Sequence, residues 1–386
     1  MLDFVYLLVE SGITLESSPV LATQVLERIK FQRSNGITAG VVAVVRDRQK
    51  FDEEIAPLLD EINAPYVRVH PSALPVRIAS AALTARRFVS QYGARIVYAR
   101  DPWSALAHQL AFPIGGPDLI YDMRGDVAAE ARFSGTSNLK RWVLDRLISR
   151  SIRHADHYSA VSSAGAEMMT NQYGAASVSV IPSCIDIDKF EMATARRDAI
   201  RSELGVSESD VLVLYSGGSQ RYQMLPQMFR IWEAMAADES IHFLALTSNS
   251  KDQSQLNLPP DRITRMSVGR DEVPAYLNAA DVGFLLREPH SLNTVASPVK
   301  FGEYLGSGLT VVSSPGVGDV SSFIEQEDVG ILVEADQTEP ATVAILQLID
   351  ELRDDRLKRS QRSRNAARNR YSWEAYVADW RDVLDG

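Results

Sequence analysis

Residues 295–318 read VASPVKFGEYLGSGLTVVSSPGVG. Ser297 followed by Pro298 predicts a helix start, because a serine oxygen caps an orphan backbone N–H and proline fits the first helical position, where no N–H is needed. Phe301, Tyr304 and Leu305 fall at i, i+3 and i+4 and give this helix an apolar side, with Lys300 and Glu303 three apart on the adjoining side. Gly306 and Gly308 stop it, and the β-branched run LTVV reads as a buried strand entering a second loop that holds Gly316 and Gly318. An open helix N-terminus, a lysine and a carboxylate beside the ends of parallel strands suit a nucleoside diphosphate. Glu303 is expected to accept hydrogen bonds from ribose hydroxyls, and Lys300 to neutralise phosphate.

These residues resemble the nucleotide-sugar site of GT-B glycosyltransferases, in particular the retaining family 4. The family pattern E(x7)E(x)MA(x)G(x)PV appears here as V(x7)EYLGSGLTV, so Glu303 matches the second glutamate and Val295 stands at the first. In the family that first glutamate lies against the donor sugar; its absence leaves the sugar open, and Asn293 is the nearest polar side chain to replace the contact. The resemblance implies an α/β chain of two Rossmann-like domains facing across a cleft. Residues 1–185 would bind the acceptor and 186–370 the nucleotide sugar, with a terminal helix, 371–386, packing back on the first domain.

Composition fits that frame. A chain of 386 residues exceeds the roughly 250–300 that one core serves, so two domains are expected. A formal net charge of -10 argues against a general nucleic-acid binder. The one cysteine, Cys184, rules out an intrachain disulfide, suits a reducing cytoplasm and reads as a small buried apolar side chain. MLDFVYLLVE lacks a basic n-region and reads as a first buried strand; no apolar run approaches the ~18 residues of a membrane span.

Through the first half, the runs FVYLLV, GVVAVV, YVRV, RIVYA, LIYDM and HYSAVS alternate with helical patterns, the mark of βα units winding a parallel sheet. Ligands then bind where strands end. The loop ESGITLESSP, with Gly12, follows the first strand; in related enzymes it faces the cleft on the acceptor side, and a plain βα connection explains it equally well. YDMRGDVAAE puts Asp122, Arg124 and Glu130 around the end of a strand and resembles an acceptor-side segment of family 4; a salt-bridged loop is the other reading. The fork of Arg124 suits phosphate or sugar oxygens. The helix NLKRWVLDRLISRSIRHA sets Leu144, Leu147, Ile148 and Ile152 at helical spacing among basic residues, either as a core helix with a solvated face or as peripheral contact with anionic lipid. Asp186 and Asp188 form a DxD in a proline-bearing linker, where a turn or cap role is expected and no metal.

The second half restarts the winding. DVLVLYSGGSQRYQ runs from a strand into Gly217 and Gly218, whose backbone N–H groups are expected to approach an anion, with Arg221 reaching the diphosphate. Thr247 ends the next strand, and by resemblance Val268 frames the base. Arg287 ends another strand and either stands near the diphosphate or pairs with Glu288. HExxH, GxGxxG, GxxxxGK[ST] and GxSxG are all missing, which removes the main support for zincin, dehydrogenase, P-loop and α/β-hydrolase readings.

The expectation is therefore a cytoplasmic, metal-independent, retaining glycosyltransferase, without cofactor, that takes a UDP- or GDP-sugar to a hydroxyl of a glycan or lipid-linked acceptor. A UDP-sugar 2-epimerase of the same fold and a non-catalytic nucleotide-sugar-binding partner stay open as alternatives.

Overall fold

A computed structural model describes residues 1–9, 18, 21, 23–70, 72–127, 129, 135, 137–190, 194–247 and 257–385. Gly12 and Glu130, like Ser248 and Asn249, lie outside the described residues. The chain divides into two compact units, Met1–Ile185 with Trp373–Gly386, and Asp186–Ser372.

In the first unit the apolar runs become strands β1 (Leu2–Leu8), β2 (Ala39–Val44), β3 (Tyr66–Val69), β4 (Ala94–Ala99), β5 (Asp118–Met123), β6 (His157–Ala160) and β7 (Ser179–Val180). They form one parallel sheet in the order β3-β2-β1-β4-β5-β6-β7. Phe4 sits opposite Ala39 on one side and Ile96 on the other, so the central strand is hydrogen-bonded along both edges, and from Phe4 to Leu8 it is buried. The C-terminal segment completes this core: Trp373, Tyr376, Trp380 and Leu384 cluster with Phe4, Tyr6 and Tyr98. Arg28 is buried among them, 4.2 Å over the Tyr98 ring and 5.0 Å over that of Trp380, and donates to the Tyr98 hydroxyl at 2.5 Å. Aromatic faces offset part of the cost of burying that cation.

The helix Asn138–Arg153 has two apolar strips. Ile148 and Ile152 are buried, whereas Leu139, Trp142 and Val143 are exposed, and the Arg146 guanidinium lies 4.8 Å over the Trp142 ring.

The second unit repeats the design with β8 (Val211–Ser216), β9 (Ile241–Leu246), β10 (Ile263–Met266), β11 (Val282–Leu285), β12 (Thr310–Ser313) and β13 (Gly330–Leu332). The order is β10-β9-β8-β11-β12-β13, again parallel. Trp232 centres its core, 5.2 Å from the Phe243 ring and 5.8 Å from that of Phe284. Asp281 is buried but doubly bound, to Arg197 at 2.7 Å and Arg201 at 3.0 Å, the pairing a buried carboxylate requires. Asp188 is the second residue of the single turn Ile187–Phe190, and Asp186 stands 3.8 Å from Lys189; among the described residues no group of three or more His, Cys, Asp or Glu side chains could hold a metal ion.

Candidate functional site

The helix Val299–Gly306 begins one residue later than its sequence suggests. Pro298 occupies the N-cap with φ -65° and ψ 120° and offers no side-chain cap, so the Ser297 cap with Pro298 at the first helical position is corrected. Proline fixes φ but leaves ψ free, and the extended ψ here turns the chain before the first helical residue. Phe301, Tyr304 and Leu305 are fully buried, which anchors the apolar side and leaves Lys300 and Glu303 half-buried beside it. Gly308, at φ 82°, ends the helix; a Cβ there would come 2.2 Å from the Ser360 hydroxyl.

The lysine is held. Nζ of Lys300 donates to the Gln223 side-chain oxygen at 2.7 Å and the Tyr215 hydroxyl at 3.3 Å, and lies 4.5 Å over the Tyr215 ring. Gly217, at φ 146°, makes room for it, since a Cβ there would fall 1.8 Å from Nζ. The Gly217 N–H itself donates to the Leu246 carbonyl at 2.9 Å and continues the sheet, so the expectation that it faces an anion is corrected: the glycine clears space for a cation. The Gly218 carbonyl accepts from the Tyr215 hydroxyl at 2.5 Å. Burial pushes the Lys300 ammonium well below the usual lysine range, the nearby Arg287 pushes it further, and Glu303 opposes both.

Arg287 is thus the cation whose field reaches Lys300, whereas Arg221 is turned outward. Arg221 lies in the turn Arg221–Gln223 with its side chain 80% exposed and pairs with Glu288 at 3.3 Å, the partner that sequence reading offered to Arg287. Arg287 follows β11, stacks 4.8 Å over the Tyr222 ring, and has a buried Nε without a hydrogen-bond partner among the described residues. Two cations drawn together with one carboxylate make a pocket of positive potential that an oxyanion would relieve.

The loops around the helix are locked to one another. The Gly318 N–H donates to the Asn293 carbonyl at 3.0 Å, and a Cβ on Gly318 would fall 2.0 Å from the Ala296 carbonyl oxygen. Asn293 is buried, its amide nitrogen donating to the Glu288 carbonyl at 2.8 Å; it ties the loop together where a sugar contact was expected. Val295 is buried as well. Gly316, at φ 76°, donates to the Ser321 hydroxyl at 2.9 Å and has open space where a Cβ would stand. Thr247 closes β9 with its N–H on the Met266 carbonyl at 2.9 Å, and Val268 is half-buried beyond β10.

Sequence reading missed Arg364, whose signal is only tertiary. From the long helix Thr338–Arg370 it donates to the carbonyls of Gly306 at 3.0 Å and Ser307 at 2.7 Å, and to that of Phe190 and the Asn278 side chain, both at 3.1 Å. A guanidinium at the carboxyl end of the Lys300 helix satisfies its last carbonyls and complements its dipole.

In the first unit, Asp122 is fully buried at the end of β5 and accepts from the Ser159 hydroxyl at 2.8 Å. Arg124 donates to the side-chain oxygens of Gln24 at 3.0 Å and Ser183 at 3.1 Å, and stands 3.6 Å from Asp122.

Residues 21–189 match the model of Glycosyltransferase Family 4. Among solved structures, sucrose-phosphate synthase of Thermosynechococcus elongatus superposes with TM-score 0.75 at 14% identity over 99% of this chain and 98% of its own. A glycosyltransferase of Rickettsia africae gives 0.74 at 13%, covering 99% of both chains, and Anabaena HepE in complex with UDP-glucose 0.71 at 17%, covering 100% of both. The chain has the GT-B glycosyltransferase fold. No curated protein matches this GT-B chain significantly. The family match lies on the first half, whereas the motif V(x7)EYLGSGLTV begins at Val295 in the second, so the two likenesses to GT-B enzymes are carried by different parts of the molecule.

Proposed function

We propose that this GT-B chain is a glycosyltransferase that holds a nucleoside diphosphate sugar in its second unit and transfers the sugar to a hydroxyl. The observation that carries the reading is Lys300, desolvated against Gly217 and facing the field of Arg287. A departing diphosphate develops charge at its bridging oxygen, and preorganised cations in a low-dielectric pocket stabilise that charge more than the ground state. Lys300 and Arg287 supply two such charges from the protein, which supports transfer without a divalent ion. Glu303, on the same helix, would receive the ribose hydroxyls. Retention of configuration follows the family resemblance, with the diphosphate taking the acceptor's proton.

HepE binds UDP-glucose, which makes a UDP-sugar the first donor to try. Thermal-shift measurements with UDP-, GDP-, ADP- and TDP-sugars should single out one nucleotide by a raised melting temperature. Incubation of that labelled donor with and without glycan or lipid-linked acceptors then decides the reaction. Transfer supports the proposal; interconversion of the sugar without acceptor identifies an epimerase; binding without turnover identifies a non-catalytic partner.

A lipid-linked acceptor is favoured by the exposed strip Leu139, Trp142 and Val143, flanked by Arg141, Arg146, Arg150 and Arg153. Apolar side chains among cations on one helix suit the interface of an anionic membrane. Among the described residues no helix is long and apolar enough to cross a membrane. Flotation with phosphatidylglycerol vesicles should carry the protein, and Trp142→Ser should leave it behind.

A further inference from the structure

Parallel sheets bind ligands where their strands end, and the carboxyl edge of the first sheet holds arginines in excess. Arg100 follows β4 and Arg124 follows β5, each by one residue, and these two strands are paired. Arg28 lies close enough to act on Arg100. A single carboxylate, Asp122, acts on all three guanidinium groups.

The three arginines are not equally provided for. Arg28 has the Tyr98 hydroxyl and aromatic faces; Arg124 has Gln24 and Ser183. Arg100 forms no hydrogen bond or ion pair among the described residues, although it is half-buried. The acids adjoining these arginines in sequence are committed elsewhere. Asp101 accepts from the N–H groups of Trp103 and Ser104 and caps the helix Pro102–Ala111; Asp126 accepts from the Ala129 N–H. A guanidinium taken partly from water without a partner is costly, and its cost is offset when an oxyanion completes it.

We propose that Arg100 and Arg124 form the binding site for an anionic group, phosphate or carboxylate, carried by the acceptor. Two guanidinium forks at adjoining strand ends suit the several oxygens of such a group better than a neutral hydroxyl. Burial and the neighbouring Arg124 pull the Arg100 guanidinium down to about 10, a penalty that an anion would reverse. Calling the occupant an acceptor rests on the glycosyltransferase reading; the anion site does not.

The test is calorimetric titration of the full chain, saturated with UDP so that the second unit is filled, with inorganic phosphate and, separately, citrate. Saturable binding that weakens at least tenfold in Arg100→Gln, and by less in Arg100→Lys, which keeps the charge but not the fork, supports the site. The stronger of the two anions names the group. Equal phosphate and citrate binding in the parent and Arg100→Gln, or no saturable binding of either, overturns it. Because Arg100→Gln removes a repelled cation, its melting temperature without ligand should hold or rise; a fall would mean that the arginine supports the fold, and would also overturn the proposal. Absence of UDP binding in the parent is a separate result and counts against the glycosyltransferase reading alone.

Discussion

At the scale of single residues, the site turns on a lysine kept from water. Its depressed affinity for protons means that the unfolded chain binds more protons than the native one at any pH between the native value and the ordinary lysine range. Native stability therefore rises with pH through that window, and the full penalty is present below it. Lys300→Met should raise the melting temperature near neutral pH while removing the stabilisation by UDP and cutting turnover about 100- to 1000-fold, the scale for a lost preorganised donor. In the parent, UDP should bind with proton uptake, seen as a calorimetric enthalpy that varies with the ionisation enthalpy of the buffer. Gly217→Ala tests the space around the lysine. With φ 146° and a Cβ 1.8 Å from Nζ, alanine strains the backbone and displaces the ammonium. A loss of about 1–3 kcal/mol in stability by urea titration, together with weaker UDP binding, is expected.

At the scale of elements, the helix Val299–Gly306 is short, eight residues, and would be marginal alone. Its apolar side packs Phe301 edge-on to Phe323 and Tyr371, at 5.8 and 5.2 Å. Its carboxyl end depends on Arg364. Arg364→Gln leaves the last carbonyls without a charged donor, and hydrogen bonds to charged groups contribute about 1.5–3 kcal/mol each. We expect a lower urea midpoint for the second unit and a raised donor KM with a smaller change in kcat, because the residue acts through the carboxyl end of the helix. Arg364→Lys should recover only part, since an ammonium cannot reproduce the spread of the guanidinium fork.

At the scale of the whole molecule, two separate cores make two separable stabilities. The first sheet is closed by residues that arrive from the far end of the chain, among them Trp380, buried against Phe31 and Arg28. Trp380→Ala should destabilise the first unit by about 3–5 kcal/mol, the usual cost of a large aromatic lost from a core. Calorimetry should show that transition moving down while the second unit still responds to UDP. A uniform shift of both transitions would mean that the units unfold together.

The alternation of apolar runs determined both parallel sheets, because a strand buried on both faces must be apolar throughout and leaves a pattern visible in one dimension. The helix with Lys300 and Glu303 was legible for the same reason: spacing of three and four residues puts side chains on one face whatever surrounds them. Charge partners were not legible. Arg221 takes Glu288 across 67 positions of the chain, and Gly217 yields to a lysine far along it; which arginine meets Lys300, and that Asn293 is spent on a backbone carbonyl only five residues away, depend on how the loops between strands and helices are folded. Sequence periodicity records which way a side chain faces; only the tertiary structure decides what it faces, because partners are chosen by the packing of strands and helices whose neighbours in space are distant along the backbone.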